Sequence, residues 1–326
     1  DIHPDIDLDL MRPNQSLPQL TAGILTHLDP VLTDLRPDWL LVQGDTTTVM
    51  AASLLAFYHR VRVGLGRDGL PAAWHSRDPH SGAVTAPALP VPGAHADMQR
   101  LAAFIRAQGA GIDHITVTLD SHQRYDVAHP AYWQRSDGGA VAPFTAITAA
   151  QVRAGAFAPR DPATLETQGR YTLMVWPVHC EIGSWGHGVH TDVLAACSDW
   201  QAHRLRAVQS VFKGMSPWTE HYSAVQAEVP DAAAPHTALN THLLDQLASA
   251  DLLLIAGEAS SHCVRATTEH IIQHLARLHP GWSPRRLVLL TDCMSPVAGF
   301  EAQHEAFLEA MHAQGAQLAA SSEICL

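Results

Sequence analysis

The chain has 326 residues, 47% of them hydrophobic, and a formal net charge of −12 from 20 Lys+Arg against 32 Asp+Glu. Such a chain can build one large α/β domain or two ordinary ones, and its acidity, without a basic run or basic helix face, excludes nucleic acid and anionic membrane as main partners and favours a small molecule. No apolar run reaches the roughly 18–20 residues that span a bilayer and the amino terminus lacks a secretion signal's basic-then-apolar order, so the expectation is a soluble, cytoplasmic protein.

The cysteines agree with a reducing compartment: Cys180, Cys197, Cys263, Cys293 and Cys325 are odd in number and scattered, with no CxxC pair. Apolar runs predict strands at Trp39–Val42, His114–Leu119, Tyr171–Val175, Val208–Phe212, Leu252–Ala256 and Leu287–Leu290. Helical patterns fall between them at Ala94–Ala107, His190–Leu205, Cys263–Leu278 and Glu301–Ala313. This alternation predicts a parallel sheet covered on both faces, with chemistry at the carboxyl ends of its strands. Arg67–Pro92, rich in Pro, Gly, Ser and His, reads as a long loop or junction, and Gln134–Pro162 as an irregular excursion over the site.

The residues that carry chemistry follow the same order. Asp120-Ser121-His122 comes after the strand at His114–Leu119, with His129 seven residues beyond His122, and one carboxylate with two imidazoles on a strand-end loop suits a divalent metal. Solvated histidines and a loop-capping Asp are the alternative. His179 sits at the end of the next run. Lys213 closes the strand at Val208–Phe212; it is either a solvated lysine or, facing Cys263, a charge that lowers the thiol pKa. In DLLLIAGEASSHCV (251–264), a strand, a small-residue turn and a helix start place Cys263 where the helix dipole and free N–H groups favour the thiolate. The competing reading is a cysteine buried as a small hydrophobe.

Four segments, TLDSHQRYDVAHPAYW (118–133), VWPVHC (175–180), VFKG (211–214) and GEASSHCV (257–264), together resemble the nicotinamidase and isochorismatase-like cysteine hydrolases. The resemblance runs from roughly Pro87 to the carboxyl terminus, and the last segment is similar to the family's Gly-x-Ala-x-x-x-Cys-Val turn. It implies the isochorismatase-like fold, a doubly wound parallel α/β sheet with helices on both faces. It also implies hydrolysis of nicotinamide or a related small amide through a thioester, with Cys263 as nucleophile, Lys213 as its charged partner, and the N–H groups of Ala259 and Cys263 as oxyanion hole. Asp120, His122, His129 and His179 match the family's metal ligands, for zinc first and iron or manganese as alternatives, the ion orienting a ring nitrogen of the substrate. Self-association is common in the family, which makes a homo-oligomer one possibility and leaves the oligomeric state open.

The pattern breaks at the amino end. The family's first strand ends in a catalytic Asp, and the corresponding stretch here, VRVGLGRDGLPAAW (61–74), has no such pattern. Residues 10–64, with Gly44-Asp45-Thr46-Thr47-Thr48, resemble instead a fragment of the non-hydrolysing UDP-N-acetylglucosamine 2-epimerases. The chain therefore reads as an epimerase-like Rossmann fragment (1–64), a junction (65–92) and a hydrolase domain (93–326). Trp39–Val42 is a candidate for the vacant first-strand position, and Asp45 and Asp68 are candidates for the missing base. Loss of that carboxylate lowers turnover by about 10²–10⁴-fold in a typical case. A metal- and ligand-binding remnant without chemistry is the alternative function, and an epimerase fragment the third.

Overall fold

The computed structural model describes residues 6–12, 15–43, 47–59, 62–66, 76–77, 84–85, 87–160 and 172–326. Asp45 and Asp68, the two candidate bases, lie outside these described residues. The chain divides into two compact units, Asp1–Asp68 with Asp78–Ala83, and Gly69–Arg77 with Val84–Leu326. Among the described residues no helix is long and apolar enough to cross a membrane.

In the first unit, α1 (Leu17–Leu35) starts from a capping box in which Ser16 and Gln19 satisfy each other's backbone N–H groups. It packs against α2 (Thr47–Tyr58), which connects β1 (Trp39–Gln43) to β2 (Arg62–Gly66). The two strands are parallel, in register from Trp39 opposite Arg62 to Gln43 opposite Gly66. The βαβ unit carries its own parallel partner for β1, and pairing across a short crossover is the ordinary outcome for consecutive strands.

The second unit begins with a short antiparallel pair, β3 (Ser76–Arg77) and β4 (Val84–Thr85), followed by α3 (Ala94–Gln108) and β5 (Thr116–Asp120). Next come β6 (Trp133–Arg135), β7 (Thr145–Ile147), α4 (Ala149–Arg153), β8 (Phe157–Pro159) and β9 (Leu173–Val175). The regular alternation resumes with α5 (Thr191–Arg204), β10 (Gln209–Lys213), α6 (Thr241–Ala248), β11 (Leu253–Ile255) and α7 (Cys263–Leu278). It ends with β12 (Leu287–Leu290), α8 (Glu301–Ala313) and β13 (Gln317–Ala319). The fold class is the expected one, parallel strands under helices. The parallel strands form two hydrogen-bonded pieces, β10–β5 and β11–β12–β13.

Helical periodicity sets the core. Val264, Thr268, Ile271, Ile272 and Leu275 make one buried stripe on α7, which packs on Leu287 and Leu289 of β12 and on Phe307 and Met311 of α8. Leu278, which the pattern assigns to that stripe, is 42% exposed. Helices α3 and α5 enclose a second cluster of Met98, Ala102, Ile105, Val193, Ala196 and Trp200.

Two expectations are revised in the excursion. The run at Tyr171–Val175 yields β9, which pairs antiparallel with β7 rather than joining the parallel strands. Apolar content specifies burial, and Leu173 and Val175 are buried against Val127, Tyr132 and Trp133; it does not specify the partner strand. The stretch Gln134–Pro162 is not irregular throughout, since it contains β7, β8 and α4, the last opened by a capping box between Thr148 and Gln151.

Candidate active site

The turn that leads to Cys263 follows β11. Gly257 takes φ +121, a left-handed value suited to glycine, and the chain passes through Glu258 to His262 before α7 starts at Cys263. The carbonyl of Ala259 accepts from the N–H groups of His262 at 3.1 Å and Val264 at 3.2 Å. Among the described residues the N–H groups of Ala259, in the turn, and of Cys263, at the start of α7, have no acceptor. They remain available to an oxyanion.

Lys213, at the carboxyl end of β10, is 4% exposed and commits all three ammonium hydrogens. It donates to Asp120 Oδ1 at 2.9 Å, to the His221 carbonyl at 2.9 Å and to Cys263 Sγ at 3.5 Å. Burial alone would favour the neutral amine, but Asp120 and Cys263 beside it hold the ammonium and raise its pKa above the ordinary value. Gly214 follows with φ +79, where a Cβ would meet Asp120 Oδ1 at 3.1 Å and His122 Cε1 at 3.2 Å. Glycine there lets the lysine strand close onto the β5 loop.

The cysteine corrects an expectation. Burial pushes the Cys263 thiol above its ordinary 9.0; Lys213 pulls it down, and the carboxylates of Asp120 and Glu220 oppose Lys213. The helix start and the ammonium do not make a standing thiolate here, because desolvation outweighs them.

Beside Lys213, Asp120, His122 and His179 bring ligand atoms within 4.8 Å of one another. His122 Nε2 lies 3.2 Å and His179 Nε2 3.5 Å from Asp120 Oδ2. Each imidazole is fixed by its other nitrogen, His122 Nδ1 by Asp126 Oδ2 at 3.1 Å and His179 Nδ1 by the Pro177 carbonyl at 2.8 Å. A proton on each Nδ1 leaves both Nε2 lone pairs aimed at one point with a carboxylate oxygen. Burial opposes charge on His122, yet Asp120 outweighs burial and holds its pKa well above the ordinary value. The charge that retains a proton there equally favours a divalent cation, so this donor set fits one, with nitrogen and oxygen ligands suited to zinc, iron or manganese.

His129 stands apart from these three. It is fully buried, its Nδ1 faces the Gln123 carbonyl at 3.0 Å, and its Nε2 accepts from the His179 backbone N–H at 3.4 Å. Burial and the His122 charge lower its pKa to about 4, so it is a neutral ring packed against His179.

Three carboxyls escaped the sequence reading. Asp126 is fully buried and orients His122; its i,i+4 spacing from that histidine was the available signal. Glu220, 3% exposed, accepts the His221 N–H at 2.9 Å through Oε1, and burial raises its pKa to about 7. Glu258 accepts the Ser295 N–H at 2.9 Å, and burial with the adjacent Asp97 carboxyl raises its pKa well above the ordinary value. Glu220 and Glu258 line, with Cys263, Lys213 and Asp120, a cavity of about 150 Å³. Its apolar wall includes Trp176 and His262, whose rings meet edge-on at 4.9 Å.

Comparison with known proteins separates the chain into two resemblances. Residues 1–69 match the family model of UDP-N-acetylglucosamine 2-epimerase. Over 70 residues the chain is 54% identical to UDP-N-acetylglucosamine 2-epimerase of Yersinia pestis, covering 22% of this chain and 19% of that one. With the Bacillus subtilis (strain 168) enzyme of the same name it is 48% identical over 69 residues, 21% of this chain and 18% of that one. The chain thus spans about a fifth of the length of these curated relatives. Among solved structures, a nicotinamidase/pyrazinamidase of Acinetobacter baumanii is similar with a TM-score of 0.51 at 16% identity, covering 79% of this chain and 97% of that one. That likeness establishes a shared isochorismatase-like fold.

Proposed function

We propose that the second unit is a cysteine amidohydrolase acting on nicotinamide or a similarly small ring amide. The observation that carries this reading is Lys213, whose ammonium touches both Cys263 Sγ and Asp120 Oδ1. A buried cation between a thiol and a carboxylate stabilises negative charge on the sulfur as it attacks a carbonyl.

The sulfur would add to the amide carbon while the N–H groups of Ala259 and Cys263 receive the developing oxyanion. The thiol proton would pass to the amide nitrogen, ammonia would leave, and water would hydrolyse the thioester to the acid and free Cys263. Asp120, His122 and His179 would hold a divalent ion, with His129 and Asp126 fixing His179 and His122. When bound, such an ion supplies a Lewis acid that anchors a heteroatom of the substrate. The cavity's volume matches one small ring, with Trp176 and His262 offering their rings to its faces and edges.

Proton transfer would fall to the cavity carboxyls not held by Lys213: burial raises Glu220 to about 7, where a group can accept and return a proton near neutrality, and raises Glu258 well above the ordinary value. Among the described residues Cys263 Sγ has Lys213, and no carboxylate, as its hydrogen-bond partner, which favours the second reading, a protein that binds metal and ligand without completing hydrolysis. Ammonia release from nicotinamide, measured beside intact-mass analysis after treatment with pyridine-3-carbaldehyde, separates these readings. A Cys263 adduct with ammonia release supports the hydrolase, and an adduct alone supports the binding protein. Absence of both removes the proposal.

A further inference from the structure

Behind the turn that leads to Cys263, two carboxyls meet over one serine. Ser295, in the loop after β12, donates its N–H to Glu258 Oε2 at 2.9 Å and its hydroxyl to Asp97 Oδ2 at 2.6 Å. Asp97 belongs to α3 and is 3% exposed. Its other oxygen accepts from Arg100, whose Nε donates to the Asp292 carbonyl at 2.6 Å. Gly93 makes room for this junction, because a Cβ there would stand 2.8 Å from Ser295 Oγ.

Glu258 Oε1 is buried and meets no donor among the described residues, and the Asp97 carboxyl is its neighbour. Two oxygens that only accept are not left facing each other in a buried space unless a proton lies between them. Charge leads to the same result, since Arg100 is the cation bonded to this pair and one guanidinium balances one carboxylate. Of the other ionisable groups nearby, Asp292 turns its carboxylate to Ser321, and His304 of α8 bonds Ser260 Oγ at 2.8 Å, so neither compensates Glu258. The same loop holds the rest of the turn. Gly257 donates its N–H to the Cys293 carbonyl at 2.9 Å, Ser260 to the Ser295 carbonyl at 2.9 Å, and Ser261 Oγ accepts the Val297 N–H at 3.1 Å.

We infer that Glu258 and Asp97 share one proton, and that this proton fixes the turn so that the Ala259 N–H faces the reacting carbonyl. Without it, two carboxylates would repel across Ser295 and pull apart the rung next to Ala259. Both are positioning residues, acting through Ser295 and the Ala259 backbone. With both oxygens occupied, Glu258 is withdrawn from proton transfer, which leaves Glu220. What the turn does rests on the hydrolase reading; the shared proton rests on these contacts.

Infrared spectroscopy of the full chain tests the proton, and ligand addition tests the positioning. At pH 9, where ordinary carboxyls are ionised, the carbonyl stretch of a protonated carboxyl should persist, and Glu258→Gln and Asp97→Asn should each remove it. Glu258→Met deletes both oxygens and should weaken addition of pyridine-3-carbaldehyde to Cys263 at least about tenfold, because the adduct's oxygen needs the turn's N–H. Iodoacetamide places no oxygen there, so its rate should change less than about twofold. Glu258→Gln can accept from Ser295 and donate to Asp97, and should recover most of the lost aldehyde affinity. A missing band, or one that both variants leave in place, would overturn the shared proton. Equal losses with aldehyde and iodoacetamide, or no rescue by glutamine, would overturn the positioning role. Loss of ammonia release in Glu258→Gln with aldehyde affinity recovered would overturn it in favour of direct proton transfer. A parent protein that takes up no aldehyde sinks the hydrolase reading and the positioning role with it, while the infrared band still decides whether the proton is shared.

Discussion

Asp126 Oδ2 lies 3.1 Å from His122 Nδ1 with both side chains buried, and Asp126 Oδ1 accepts the Ala128 N–H at 3.0 Å. The carboxylate thereby fixes which nitrogen of His122 carries the proton and which way the other points. Asp126→Asn should keep the fold but lower zinc affinity by about 10–100-fold, because an amide can donate to Nδ1 and favour the wrong tautomer. Competition against a fluorescent chelator reads this, and an unchanged affinity would remove Asp126 from the cup.

The thiol should behave as a weak acid. With burial holding the Cys263 pKa above 9.0, its alkylation rate by iodoacetamide should still be climbing at pH 9. Lys213→Met removes the charge that opposes burial, so the midpoint should move further up and the rate at pH 8 should fall. A midpoint below pH 8 in the parent protein would contradict the balance of forces described for this site.

Glu220 sets a pH dependence of stability. Its pKa rises from 4.5 to about 7 on folding, so the native state binds the proton more tightly than the unfolded chain. Stability then falls as pH rises from about 4.5, and the loss is complete above about 7. Glu220→Gln removes the penalty, so relative to the parent the variant should gain on the order of 3 kcal/mol between pH 5 and pH 8. Urea unfolding of chelator-treated protein at the two pH values measures it, and a pH-independent difference would count against the buried carboxyl.

The α7 stripe offers a packing test. Leu275 is fully buried in the largest cluster, and Leu275→Ala should cost about 2–5 kcal/mol by denaturant midpoint. Leu278→Ala, one turn on and 42% exposed, should change stability by only about 0.5 kcal/mol or less. Equal losses at both positions would show that the stripe extends further than the structure has it.

These contrasts mark what the sequence could and could not reveal. Apolar runs and helical periodicity located β5, β10, β11, β12 and helices α3, α5, α7 and α8, because those signals follow from burial on one face or both. The placement of Asp120, His122, His179, Lys213 and Cys263 at strand ends and turns was legible for the same reason. Pairing partners were not, since three apolar residues such as Leu173–Val175 fit any sheet that buries them. Nor was the acidity of Cys263, which depends on how deeply neighbouring segments desolvate the thiol. Spacing and the resemblance both point to His129 as a ligand, whereas its ring here faces the Gln123 carbonyl and the His179 backbone N–H, contacts that spacing does not specify.

The three acceptors around Lys213 Nζ have one further consequence, for what position 213 can tolerate. A carboxylate, a backbone carbonyl and a sulfur surround a single pyramidal nitrogen in a space that leaves the side chain 4% exposed. Arginine keeps the positive charge but spreads its hydrogens across a flat fork over several nitrogens, so it cannot serve acceptors converging on one point. Lysine 213 is selected by shape as much as by charge, and a guanidinium is as foreign there as an uncharged side chain.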